Sequence, residues 1–138
     1  MRIGFVGYKE NPVNLFKDLG KSLSKKISGL DLDQRFVSLP EDIPIVALES
    51  AGESDFVLVF ALIEDEEMAK FLKEKLMDVE LSTKTRILKY IEVDEFFGAD
   101  EEDYIEKKAA LVEKISELIV NILFNEPSFE PKDKDFAL

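Results

Sequence analysis

Asp55-Phe56-Val57-Leu58-Val59-Phe60-Ala61-Leu62-Ile63 is apolar at every position after its aspartate. A strand with one face in water alternates apolar and polar residues, whereas a strand covered on both faces does not. The run therefore reads as the central strand of a sheet with helices on both sides, and the rest of the chain is placed around it.

Upstream, Arg2 to Val6 is a short apolar run closed by Gly7, a first strand. Asn11-Pro12 opens a segment with Phe16, Leu19, Leu23 and Ile27 at helical spacing, ending near Gly29. Arg35 to Leu39 is a second short strand. The stretch Ser38-Leu39-Pro40-Glu41-Asp42-Ile43-Pro44-Ile45-Val46-Ala47 then sets two prolines around two acids. Asp42 is suited to cap a helix whose first turn holds Pro44, where a missing N–H costs nothing. That helix is expected to run to about Ser50, to stop at Gly52 and, being mostly apolar, to lie buried.

Downstream, Glu64 to Met77 carries Met68, Phe71, Leu72 and Leu76, with an acidic first turn that suits the helix dipole. Arg86 to Val93 is a fourth strand. Asp94 to Asp103 is an acidic loop around Phe96-Phe97-Gly98, and a neighbouring subunit is a natural place to bury two adjacent loop aromatics. Ile105, Ala109, Val112, Ile115, Ile119 and Ile122 mark a long last helix. Beyond it NEPSFEPKDKDFAL has no helical stripe. This tail is expected either to be disordered or to pack on a neighbour through Phe129 and Phe136.

Strand and helix alternate throughout, so the expected class is α/β: a three-layer sandwich with a four-stranded parallel sheet. The domain spans residues 1–124, and residues 125–138 form the tail. Ligands of such sheets sit beyond the carboxyl ends of the strands, where the strand order reverses. Those ends are Gly7 to Pro12, Ser38 to Pro44, Ile63 to Glu66 and Val93 to Gly98.

Composition narrows the chemistry. Thirty acids against 18 bases give a net charge of −12, which repels phosphate backbones and argues against nucleic-acid binding. With no cysteine there is no disulfide, thiolate nucleophile or cysteine zinc site. With no histidine, serine–histidine catalysis and histidine-ligated metals are excluded, and proton transfer falls to Asp, Glu, Lys or Tyr. No apolar stretch is long enough to cross a bilayer, and the chain opens on a strand rather than a secretory segment, so a cytoplasmic protein is expected.

Candidate site residues lie on the strand ends. The loop Gly7-Tyr8-Lys9-Glu10-Asn11-Pro12 has neither a dinucleotide fingerprint nor a P-loop. Tyr8 can stack on a heterocycle and Lys9 can meet an anion; an exposed loop Tyr and Lys is the plainer reading. In the turn Pro40-Glu41-Asp42-Ile43-Pro44, backbone N–H groups at the helix start can hold a ring-shaped ligand, and Pro40 stiffens the approach. Helix-start chemistry accounts for the same residues without a ligand. Glu64-Asp65-Glu66-Glu67 offers oxygen ligands to a divalent cation or simply complements a helix N-terminus. A receiver-type phosphoacceptor set is lacking.

These features resemble the archaeal type of riboflavin synthase, a relative of lumazine synthase with a flavodoxin-like fold. Its second strand leads into a turn of the form V-P-G-x-x-D-[LI]-P, matched here at Val37, Asp42, Ile43 and Pro44, with Ser38-Leu39 in place of Pro-Gly. Glu53-Ser54-Asp55 before the apolar run, and Asp94-Glu95 after the strand from Ile87, also correspond. The family's Asp-Thr-Thr-Phe is replaced by Gly7-Tyr8-Lys9-Glu10; its histidines and its basic, glycine-rich C-terminal motif are absent. The resemblance implies conversion of two 6,7-dimethyl-8-ribityllumazine molecules into riboflavin, with no metal or redox cofactor, in a ring of five subunits. Lys9 and Asp42 would be catalytic; Tyr8, Pro40, Glu41, Ile43, Pro44 and Glu64 would bind substrate. A non-catalytic paralogue, an oligomeric module binding a flavin-like ligand or a protein partner, is the alternative; neither nucleic acid nor membrane enters either reading.

Overall fold

The computed structural model describes residues 1–124. The tail reading, with Phe129 and Phe136, lies outside the described residues. The elements are β1 (Arg2–Tyr8), α1 (Phe16–Lys26), β2 (Asp31–Val37), α2 (Ile43–Glu53), β3 (Phe56–Leu62), α3 (Glu66–Thr83), β4 (Arg86–Glu92) and α4 (Glu101–Phe124). The four strands form one parallel sheet in the order β2-β1-β3-β4, the flavodoxin-like three-layer arrangement expected from the sequence.

Every residue of β3 is buried, because each face of the sheet is covered. On one face Phe56, Leu58, Phe60 and Leu62 join Ile3 and Phe5 under α1 and α4, which contribute Phe16, Leu19, Leu23, Leu111, Val112, Ile115 and Ile119. On the other, Val57, Val59 and Ala61 join Val6 and Val37 under α2 and α3, which contribute Ile43, Ala47, Ala51, Leu72, Leu76 and Val79. The two-residue period of a strand thus divides one apolar run between two cores.

Close packing of α2 on β1 depends on small residues. A Cβ added at Gly4 would lie 1.9 Å from the Ser50 hydroxyl and 3.2 Å from that of Ser54. α2 is buried along one face only: Ile43, Ala47, Ser50 and Ala51 point inward, while Ile45 and Leu48 are exposed. That corrects the expectation of a buried helix.

Other boundaries also moved. β2 begins at Asp31 and ends at Val37, earlier than the expected Arg35 to Leu39. Its charged positions belong to an ionic cluster on the α2 side. Arg35 Nε donates to Asp33 at 2.7 Å and its guanidinium reaches Glu49 and Glu53 of α2, while Arg2 approaches Asp33 at 3.7 Å. α1 starts at Phe16 rather than Asn11-Pro12, since Val13 and Leu15 tuck into the core first. α3 continues to Thr83 and stops where Lys84 takes a left-handed conformation at φ 59°.

The aromatic loop pair splits. Phe96 is buried in its own chain against Tyr104, with ring centroids 5.4 Å apart, so it needs no neighbouring subunit; Phe97 is 85% exposed.

Tyr90 on β4 provides a pH probe of the core. Its ring stands 5.6 Å from Phe60, and its hydroxyl donates to Glu95 at 3.2 Å. Burial first, then the charges of Glu95 and Glu92, push its phenol up to about 12. Because the folded chain holds this proton more tightly than the unfolded one, the stabilisation is complete below pH 10 and declines as pH rises toward 12. An ultraviolet tyrosinate titration is expected to show a late step that disappears in Tyr90→Phe; an unchanged late step would assign it elsewhere.

Candidate functional site

The strand order reverses between β1 and β3, and a cavity of about 350 Å³ opens beyond the carboxyl end of β1 at that point. Its walls are aromatic. Phe16 at the start of α1 packs 5.5 Å from Phe36 of β2 and 6.5 Å from Phe60 of β3, ring centre to ring centre. Gly7 permits this gathering: a Cβ there would sit 2.7 Å from the Phe16 ring and 3.1 Å from that of Phe36. Phe36 is 41% exposed, so one wall is open to solvent. Lys9, Asn11 and Asn14 add polar groups to the lining, and Tyr8 borders it.

The loop that carries Lys9 is tied down at two points. The Lys9 N–H donates to the Val37 carbonyl at 2.9 Å, extending the β1–β2 ladder by one bond. Asn11 then acts in place of a strand residue: its Nδ2 donates to the Phe60 carbonyl at 3.0 Å and its Oδ1 accepts from the Leu62 N–H at 2.8 Å. Phe60 is the last residue of β3 paired with β1 and Leu62 lies beyond that pairing, so the amide satisfies a Leu62 N–H that would otherwise be orphaned. Asn11→Ala is expected to lower unfolding stability by about 1–3 kcal/mol. Urea denaturation checks this, and a loss within error would mean that water replaces the amide without penalty. Asn11→Asp keeps the acceptor but sets an oxygen against the Phe60 carbonyl, and is expected to fare no better.

Of the residues singled out in the sequence, Tyr8 and Lys9 line the cavity and the remainder do not. The Tyr8 side chain leans toward the α2 and α3 layer, against the cluster containing Val6 and Val37. Pro40, Glu41 and Asp42 form a 3-10 turn that leads into α2, which covers the opposite face of the sheet from α1. Ile43 is fully buried there, so its side chain is closed to any ligand. Pro44 does occupy the first turn of α2, but Asp42, at the cap position, makes no side-chain capping bond; its backbone is already helical, which turns the carboxylate away from the first N–H groups. Lys9 and Asp42 therefore do not share this cavity.

Glu64 is exposed. The acid that acts in its run is Asp65, which caps α3 by accepting from Glu67 N at 2.9 Å and Met68 N at 3.2 Å. Among the described residues no three acids converge into a cage for a cation.

Sequence reading missed Phe36, Phe60 and Asn11. The two phenylalanines look like ordinary strand residues until topology brings their ends together. Asn11 beside Pro12 resembles a helix opener; the polar amide followed by an apolar Val13 and Leu15 was the available signal of a pinned loop.

The sequence matches no protein-family model, and no curated protein matches it significantly. Among the described residues no helix is long and apolar enough to cross a membrane.

Proposed function

We propose that the protein binds a flat heterocycle of the lumazine or flavin type in the aromatic cavity, as a non-catalytic relative of the riboflavin synthase and lumazine synthase group. The observation that carries this reading is the meeting of Phe16, Phe36 and Phe60 at the switch point of a parallel sheet, beside Lys9 and Asn14. The half-exposed ring of Phe36 supplies a stacking face over a floor closed by the buried Phe16 and Phe60, while the ammonium and the amide supply donors for the carbonyl oxygens of a pteridine or isoalloxazine edge. A volume of about 350 Å³ lies at the lower end of ligand sites and suits one ring system rather than a stacked pair. Binding is favoured over turnover because Lys9 and Asp42, the pair expected to move protons, do not line one cavity.

A cytoplasmic homo-oligomer belongs to the same proposal, pentameric if it follows the group. Phe97, 85% exposed, and Ile45, 60% exposed, are apolar surface that a neighbouring subunit would cover.

The test mixes purified protein with 6,7-dimethyl-8-ribityllumazine and follows ligand fluorescence together with riboflavin absorbance. Saturable quenching without riboflavin is expected, weakened about tenfold by Phe36→Ala, which removes a stacking wall. Lys9→Ala is expected to weaken it by a few-fold, the scale of an exposed charge contact. Absence of saturable quenching, or quenching indifferent to Phe36, would sink the reading. Riboflavin formation lost in Lys9→Ala would replace binding with turnover.

A further inference from the structure

β2 ends the sheet, and its outer edge has no strand beside it among the described residues. The ladder fixes which backbone groups face outward. Asp31 N–H donates to Met1 O, and Val37 O accepts from Lys9 N, so the odd-numbered residues of β2 turn both their N–H and C=O toward β1. In a parallel ladder the intervening residues then point the other way. Leu32, Gln34 and Phe36 therefore present their N–H and C=O groups to the open edge.

Alongside that edge runs a groove of about 720 Å³ between β2 and α1. Leu32, Gln34, Phe16 and Gly20 line it, and Lys17, Lys21 and Lys25 stand along it at a spacing of one helical turn. Gly20 keeps the floor low: a Cβ there would be 3.0 Å from Leu32 Cδ1. In a chain of net charge −12 this is a basic ridge. Lys26, next along the helix, is paired with Glu113 at 3.3 Å, and Lys108 of α4 takes Asp18 at 3.1 Å. Lys17 and Lys21 act on Asp18 only as more distant charges, and no salt bridge among the described residues engages Lys17, Lys21 or Lys25.

We propose that this edge receives an acidic peptide in extended conformation, which adds a fifth strand beside β2 and sets alternate Asp or Glu side chains against Lys17, Lys21 and Lys25. Backbone pairing with Leu32, Gln34 and Phe36 supplies affinity, and the lysine ridge supplies selectivity, the division of labour usual in strand addition. The two spacings are close: alternate strand residues lie about 6.6 Å apart, and lysines four residues apart on a helix lie about 6.0 Å apart. Charge also decides against a second copy of this chain. An antiparallel pairing of two β2 edges would bring two such lysine ridges together across the seam, and like charges facing each other are destabilising.

The test uses the full chain and fluorescein-labelled Glu-Val-Glu-Val-Glu-Val-Glu, with the Lys-for-Glu peptide as control. Fluorescence anisotropy is expected to show binding of the acidic peptide alone, lost on raising salt. The Lys17→Ser/Lys21→Ser/Lys25→Ser variant is expected to bind about tenfold more weakly, the sum of three exposed charge contacts. Amide hydrogen exchange must also slow at Leu32, Gln34 and Phe36 in the presence of peptide. That second readout separates strand addition from simple attraction to lysines. Equal binding of both peptides, or binding without protection of those amides, overturns the proposal. So does protection that appears with protein concentration and no peptide, which would mean self-association. The lumazine experiment reads a different ligand and leaves this result independent.

Discussion

Phe60→Ala is expected to lower unfolding stability by about 3–5 kcal/mol. The ring is 1% exposed, lies in the middle of the sheet and touches two other aromatics, Phe16 and Tyr90. Truncation removes its buried surface and leaves a hole that neighbours on a parallel sheet cannot easily fill. That hole would also merge with the cavity above it, since Phe60 lines both core and cavity. A domain of this size has about 5–15 kcal/mol to lose, so the urea midpoint should fall steeply at unchanged slope. Phe60→Leu keeps most of the volume and is expected to cost under about 1.5 kcal/mol. A loss below about 1 kcal/mol in Phe60→Ala would show that the ring is not closing the floor.

The second large effect comes from adding atoms rather than removing them. Gly4→Val places carbon where the Ser50 hydroxyl now stands, 1.9 Å from the new Cβ, with the Ser50 Cβ 3.3 Å away. One of α2 and β1 must move, and overpacking of this kind is expected to cost about 3 kcal/mol. The milder Gly4→Ala isolates the contact. Combined with Ser50→Ala it should recover most of its loss, giving a coupling above about 1 kcal/mol in a double-mutant cycle. Ser50→Ala alone is expected to be neutral or slightly stabilising, because the buried hydroxyl has no hydrogen-bond partner among the described residues. Additive behaviour of the pair would mean that α2 yields as a body and that Ser50 does not set the spacing.

Much of this fold can be read from the chain because burial leaves a signature wherever it is complete. Phe56 to Leu62 is apolar throughout and is covered throughout. β2 was harder, since an edge strand is half-exposed and its charged residues satisfy one another sideways. Asp33 and Arg35 are strand residues because of each other and of Glu49 and Glu53, which is invisible to a window of sequence. The extent of α3 was underestimated because its buried stripe continues from Leu72 and Leu76 only through Val79, while the apolar Met77 and Leu81 beside it are exposed and blur the helical period. In the cavity, Tyr8 and Lys9 were legible from their place after the first strand. Phe36 and Phe60 were not, because only the parallel register brings residues from β2 and β3 to the same end. The turn from Pro40 to Pro44 illustrates the opposite error. Its position on the rim was right, but the layer it enters is decided by the handedness of the crossover, which local chemistry does not encode.

The place of α4 has a consequence for the order in which the chain can finish folding on a ribosome. The layer of α2 and α3 is complete once β4 has emerged, since Ile87 and Ile91 belong to the same core. The opposite layer waits for Leu111, Val112, Ile115 and Ile119, so Phe56, Leu58 and Phe60 remain partly uncovered until the last described helix arrives. For that interval the nascent chain carries one sealed face and one adhesive face. A nascent chain with only residues 1–100 outside the ribosome should therefore be a better substrate for chaperones than one with residue 124 outside.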